Sequence, residues 1–217
     1  HHKAEKVMGF IKEDLRKLSP ENINDIKYRV SKYSNFISRV IYDMKWFDPP
    51  LQTIRSQMFR TNLNEVIKFI VENIFLRITS KSSAYEIKLD IDPNLPLVPI
   101  NEFVVWEIIE PLIQNSIDHG GESNLLISCK TKYDPGLNKS FIIIEDNGKG
   151  IDSNLLKFDE SGIKNIFIEN VTTKASGLQN SGYGCYIAYE ISKRCGWDID
   201  AENLKEGGCR FIITFSN

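Results

Sequence analysis

The chain has 217 residues, is 41% hydrophobic and 26% charged, and carries a formal net charge of −2, the profile of an ordinary globular protein with room for one medium domain and an appendage. A near-neutral balance without a basic stripe interleaved with aromatics excludes a nucleic-acid footprint, and no apolar run reaches the roughly 18 residues of a membrane span. Cys129, Cys185, Cys195 and Cys209 lack CxxC spacing, which argues against zinc or a disulfide framework and for packed thiols in a reducing, cytoplasmic compartment. The sequence begins at His1 with neither a methionine nor a signal peptide, and reads as a fragment of something longer, with any sensory or membrane part upstream of it.

In chain order, the first signal is a heptad seam. Apolar residues fall at Ile23, Ile26, Val30, Tyr33, Ile37, Val40, Met44 and Phe47 in alternating steps of three and four, which predicts helix-on-helix packing. Ala4, Val7, Ile11 and Leu18 keep the same rhythm, with Asp14 intruding at one seam position. A shorter helix therefore precedes the long one, broken from it at Ser19-Pro20-Glu21, with Ser19 as the cap and Pro20 in the first turn. A two-helix hairpin cannot bury such a seam alone, which points to a four-helix bundle made by two chains, the alternative being that the hairpin packs on its own globular domain. Asp48-Pro49-Pro50 stops the long helix. The boundary falls there, giving domains at 1–50 and 51–217.

In the second domain Thr61 or Asn62 caps a helix through about Ile78, and Glu86 to Asp92 alternates like a half-buried strand. Asn101 caps a helix from Glu102 to His119, which Gly120-Gly121 terminates. Leu125 to Tyr133 and Phe141 to Asp146 form two strands joined at Asp134-Pro135-Gly136. The continuous apolar run at Phe141 to Ile144 suggests a strand covered on both faces. Regular periodicity is lost from Asp152 to Ser181, apart from a patch at Ile163, Ile166, Phe167 and Ile168, and a loop that long is functional as a rule. A helix from Gly184 to Cys195 and strands near Trp197 to Ala201 and Cys209 to Phe215 complete an α+β sandwich, one mixed sheet with helices on one face.

Three constellations carry chemistry. Asp146 ends a strand and is followed by Gly148 and Gly150, which impose no Cβ and tolerate positive φ, so the backbone can come close to a flat or charged ligand. Asn115 lies near the end of the second-domain helix on one face with Pro111, Asp118 and His119, where an amide oxygen suits magnesium, an ion that takes hard oxygen ligands and keeps its waters and phosphates. Gly182-Tyr183-Gly184 opens a helix, whose backbone amides form an anion site.

From about Thr61 to Phe215 the sequence resembles the ATP-binding domain of sensor histidine kinases, within the ATPase superfamily that also holds DNA gyrase, MutL and heat-shock chaperone ATPases. NSIDH resembles its N box, EDNGKGI its first glycine box, IFIENVTTK its phenylalanine-containing box, and GYGCYIAYEI its second glycine box. The N-terminal hairpin resembles the dimerisation and phosphoacceptor module. The resemblance implies that Asp146 accepts from the exocyclic amine of adenine and Asn115 holds Mg2+. His119 lines the pocket, and Gly148, Gly150, Gly182, Tyr183 and Gly184 belong to the nucleotide site. The loop from Asp152 to Ser181 becomes an ATP lid, with Gly162 and Gly177 as flexible points and Lys174 reaching the terminal phosphates.

It further implies a homodimer that autophosphorylates and passes the phosphoryl group to a response regulator receiver domain. His2, or else His1, is the acceptor, unless the two are the end of an expression tag, and Glu5 stands in for the adjacent acid that Lys3 replaces. Other departures are Pro111, where a second Asn is usual, Asp118, where a lysine is usual, and Asn180-Ser181 in the second glycine box. The alternatives are an ATP-binding dimeric scaffold without phosphotransfer and, lower, a gyrase- or MutL-type ATPase, whose catalytic glutamate would fall at Pro111.

Overall fold

The computed structural model describes residues 11–31, 33–34, 54–76, 85–121, 124–169 and 183–217. The chain divides into two compact units, His1–Pro50 and Leu51–Asn217.

In the first unit residues 11–16 and 23–31 are helical. The second helix is launched from Asn22 rather than from Ser19. Asn22 Oδ1 accepts the Ser19 N–H at 2.8 Å, its Nδ2 donates to the Lys17 carbonyl at 2.9 Å, and its own carbonyl takes the Ile26 N–H. Pro20 therefore sits in the connecting turn, because the Asn22 side chain knits that turn from within. Asp14, the intruder in the seam, accepts two bonds from the Arg29 guanidinium, at 2.8 and 3.1 Å. That pairing holds its carboxyl below the ordinary range and explains how an acid is tolerated there. Ile26 is buried, and the remaining seam positions from Ile37 onward, with Ala4 and Val7, lie outside the described residues.

The second unit is α+β. Its helices are α1 (Leu63–Ile70), which runs on through a π turn at Val71–Phe75, α2 (Glu102–His119) and α3 (Tyr183–Cys195). Its strands are β1 (Tyr85–Asp90), β2 (Leu125–Asp134), β3 (Lys139–Asp146), β4 (Asp198–Asn203) and β5 (Cys209–Ser216). They form one mixed sheet in the order β1-β2-β3-β5-β4. Among the described strands β1 and β2 run parallel, joined by the α2 crossover, and the other pairs are antiparallel. The short β2–β3 and β4–β5 connections allow no other arrangement, whereas β3 and β5 meet across the loop, α3 and β4.

Local signals set the ends of these elements. Asn62 Oδ1 caps α1 by accepting from the Asn64 and Glu65 N–H groups, and Asn101 Oδ1 caps α2 by accepting from Phe103 N–H at 3.0 Å. Gly120 closes α2 on the Ser116 carbonyl, and Gly121 follows at φ 117°. Helix α2 runs through Pro111 although that residue has no N–H to give to the preceding turn. Its buried residues Val105, Ile108, Ile109 and Leu112 hold it on the sheet regardless.

Burial alternates along β2, β3 and β5. Ile127, Cys129, Ile142, Ile144, Phe211 and Ile213 form the inner face under the helices. The expectation that β3 is covered on both faces is corrected. Phe141 and Ile143 are half-buried, and beside them Glu145 bridges Lys130 of β2 and Arg210 of β5, each at 2.6 Å. Among the described residues it is long charged side chains that shield that face.

Candidate functional site

The site is built around the last residue of β3. The strand carries Asp146 under the helix layer, where it is 5% exposed, and four groups of the protein donate to its carboxylate. Ser116 Oγ donates to Oδ2 at 2.8 Å and Cys209 Sγ to the same oxygen at 3.0 Å. The Gly148 and Cys209 N–H groups donate to Oδ1 at 2.9 and 3.3 Å. Burial first, and then the negative charge of Asp146, push the Cys209 thiol far above its ordinary range, so it stays protonated and donates. The other three thiols, all buried, are pushed up to about 12 by burial.

The turn after Asp146 is fastened on both sides. Asn147 Oδ1 accepts the Leu126 N–H at 2.8 Å and its Nδ2 donates to the Asn124 carbonyl, so the side chain extends the β2 ladder beyond the strand. A Cβ on Gly148 would lie 2.5 Å from Gly120 Cα, so its bareness lets the end of α2 meet the turn. Gly150 has φ 79° and stands against Asn203, whose amide holds both the N–H and the carbonyl of Ile151 at 2.7 Å. Gly208, at φ 83°, is the tightest position, because a Cβ there would fall 1.8 Å from the Asp146 carbonyl oxygen.

Helix α2 brings the constellations together. Ser116 reaches Asp146, Gly120 meets Gly148, and Pro111 touches Gly184, where an added Cβ would lie 3.3 Å from Pro111 Cβ. Asn115, beside Ser116, and His119 are half-buried, while Asp118 is exposed and accepts from Gln114 Nε2 at 2.7 Å. Glu110 is pushed above the ordinary range by burial and then by the charge of Asp118, but it lies about 120° around the helix from Ser116. Tyr183 and Gly184 open α3, and the Tyr183 hydroxyl donates to Glu169 at 2.5 Å.

Residues 152–169, the first part of the expected lid, form a packed loop. Asp159 Oδ1 accepts from the Ser161 and Ile163 N–H groups, and Gly162, at φ 75°, is held in that turn. Phe167 stacks on Tyr189 of α3 at 5.3 Å and meets Phe211 of β5 edge-on at 6.5 Å. His2, Glu5, Lys174 and Gly182 lie outside the described residues, as do His1 and Gly177.

Sequence reasoning singled out Asp146, Asn115 and the glycines but not Ser116, Cys209, Asn203 or Gly208. The Gly207-Gly208 pair was visible before β5; what it leans on is a contact between strands distant in sequence.

The family model described as Histidine kinase-, DNA gyrase B-, and HSP90-like ATPase matches residues 101–217. No curated protein matches the sequence at a significant level. Among solved structures, full-length ShkA in complex with AMPPNP superposes with a TM-score of 0.62 at 15% identity, covering 91% of this chain and 39% of that one. The catalytic domain of histidine kinase ThkA superposes at 0.57 and 23% identity, over 74% of this chain and 96% of that one. The Acinetobacter baumannii histidine kinase AdeS superposes at 0.56 and 15% identity, over 99% of this chain and 97% of that one.

Proposed function

The chain belongs to the histidine kinase-, DNA gyrase B- and HSP90-like ATPase family, and on that premise we propose that it is an ATP-dependent protein histidine kinase of a two-component system. The observation that carries the reading is Asp146: a buried, acceptor-only carboxylate at a strand end, locked to α2 through Ser116. An acceptor fixed there suits the exocyclic amine of adenine, and guanine, which presents an oxygen at that place, sets acceptor against acceptor. Gly148 and Gly150 shape the base side. Tyr183 and Gly184 at the start of α3, with Gly182, Lys174 and His119, belong to the phosphate side and the wall.

Magnesium fits the residues in one way. The residue that would hold the ion is Asn115, whose amide oxygen is a hard donor of the kind magnesium takes, with phosphate oxygens and water supplying the rest. When bound it neutralises charge on the transferred phosphoryl group. In this reading His2 is the nucleophile and Glu5, three residues on, orients its imidazole or takes its proton. Two chains join through the seam of the first unit, and the phosphoryl group then passes to an aspartate of a response regulator receiver domain.

The test is incubation with γ-labelled ATP, followed by acid. Acid-labile label that disappears in His2→Gln supports the assignment, and loss confined to His1→Gln moves the acceptor by one residue. Full labelling in both variants places the acceptor elsewhere, and no labelling of a protein that binds ATP removes the kinase activity.

A further inference from the structure

A carboxylate offers about four lone-pair sites, two on each oxygen, and the protein's own groups fill all four at Asp146. The Gly148 and Cys209 N–H groups take Oδ1, and Ser116 Oγ and Cys209 Sγ take Oδ2. A purine amine that bonds to Asp146 must therefore displace one of them. The two backbone donors cannot leave. Gly148 is packed on Gly120, and Gly208, next to Cys209, stands against the Asp146 carbonyl with no space for even a methyl group. Of the two side-chain donors, the Ser116 hydroxyl makes the stronger charge-assisted bond, from a buried position on α2. The thiol is a weak donor, and losing its partner costs it least.

We infer that Cys209 tunes the adenine site: its thiol holds the Oδ2 position that the 6-amino group of adenine takes, yields only to a base that carries such a donor, and so sets how tightly that base is bound while Asp146 does the discriminating. The inference rests on the reading of Asp146 as the purine acceptor. It assigns the thiol two tasks. Without nucleotide it keeps the buried carboxylate satisfied and oriented, so that the acceptor is preformed. With nucleotide it makes the amine compete against a weak bond rather than a strong one, and a base lacking the amine leaves the thiol where it is.

The S–H stretching band in the infrared reads this directly, since a thiol bonded to a carboxylate absorbs at lower frequency than a free one. The Cys209 band is identified in the whole chain by its loss in Cys209→Ala, or in Cys209→Ser if the alanine variant fails to fold. Saturating ATP should move it to higher frequency, and a purine riboside triphosphate with hydrogen in place of the amine should not. Calorimetry on Cys209→Ala should show ATP bound about 2- to 5-fold more tightly, the equivalent of one weak competing bond, with the amine-free analogue unchanged. If ATP binds and the band stays still, Ser116 or no donor gives way and the inference is overturned while the adenine reading stands. A band that moves equally with the amine-free analogue also overturns it. If ATP does not bind, or binds equally well to Asp146→Asn, the adenine reading fails and takes the inference with it.

Discussion

Gly208 has less room than any other glycine around Asp146, and its substitution separates backbone packing from ligand contact. Gly208→Ala forces an L side chain into φ 83° and drives a methyl group to 1.8 Å from the Asp146 carbonyl. The combined left-handed strain and overpacking should cost about 2 to 5 kcal/mol of stability, measured by urea denaturation. Asp146→Asn keeps the shape but turns one acceptor oxygen into a donor facing Ser116, Cys209 and the base. ATP affinity should fall by about 1.5 to 3 kcal/mol, the range for hydrogen bonds to charged groups, and an unchanged calorimetric Kd would remove Asp146 from the base site. Asp146 was legible in the sequence because an apolar strand ending in an acid and two glycines is a local pattern. Ser116 and Cys209 were not, because the bonds that single them out span 30 and 63 residues of chain.

Among the elements, β3 is tied to its neighbours by side chains as well as by its ladder. Glu145 joins β3 to Lys130 of β2 and Arg210 of β5, and Arg210 goes on to Glu202 of β4 at 3.0 Å. Burial alone would raise the Glu145 carboxyl, but the bonds from Lys130 and Arg210 outweigh it and leave the carboxyl below its ordinary value of 4.5. A depressed folded value means that its stabilisation is fully present above pH 4.5 and is lost as the pH falls through the lower folded value. The difference in unfolding free energy between the wild type and Glu145→Gln should therefore be constant near neutrality and shrink across that acid window. A difference that does not change with pH would show that the network adds nothing through charge. The apolar run of β3 suggested burial on both faces, yet composition does not say whether a half-buried isoleucine is shielded by a helix or by the stems of lysine and arginine.

For the whole molecule, the proposal of a bundle formed by two chains places its decisive positions in the first unit. Light scattering at micromolar concentration should return about twice the 24.9 kDa chain mass, and Ile37→Glu should bring it down to one, since an unpaired buried charge is costly to desolvate. A monomeric wild type would sink the bundle. By itself the sequence determined the order of elements in the second unit, the Asn101 cap, the glycine end of α2 and the α+β class, and narrowed the α1 cap to Thr61 or Asn62, because periodicity, capping and turn chemistry act over a few residues. Only the tertiary structure decided the strand order β1-β2-β3-β5-β4 and the convergence of Ser116 and Cys209 with Gly148 on the Asp146 carboxylate. These depend on which distant segments pack together, and on contacts such as Gly120 against Gly148 that close only when a helix end and a strand end arrive at the same place.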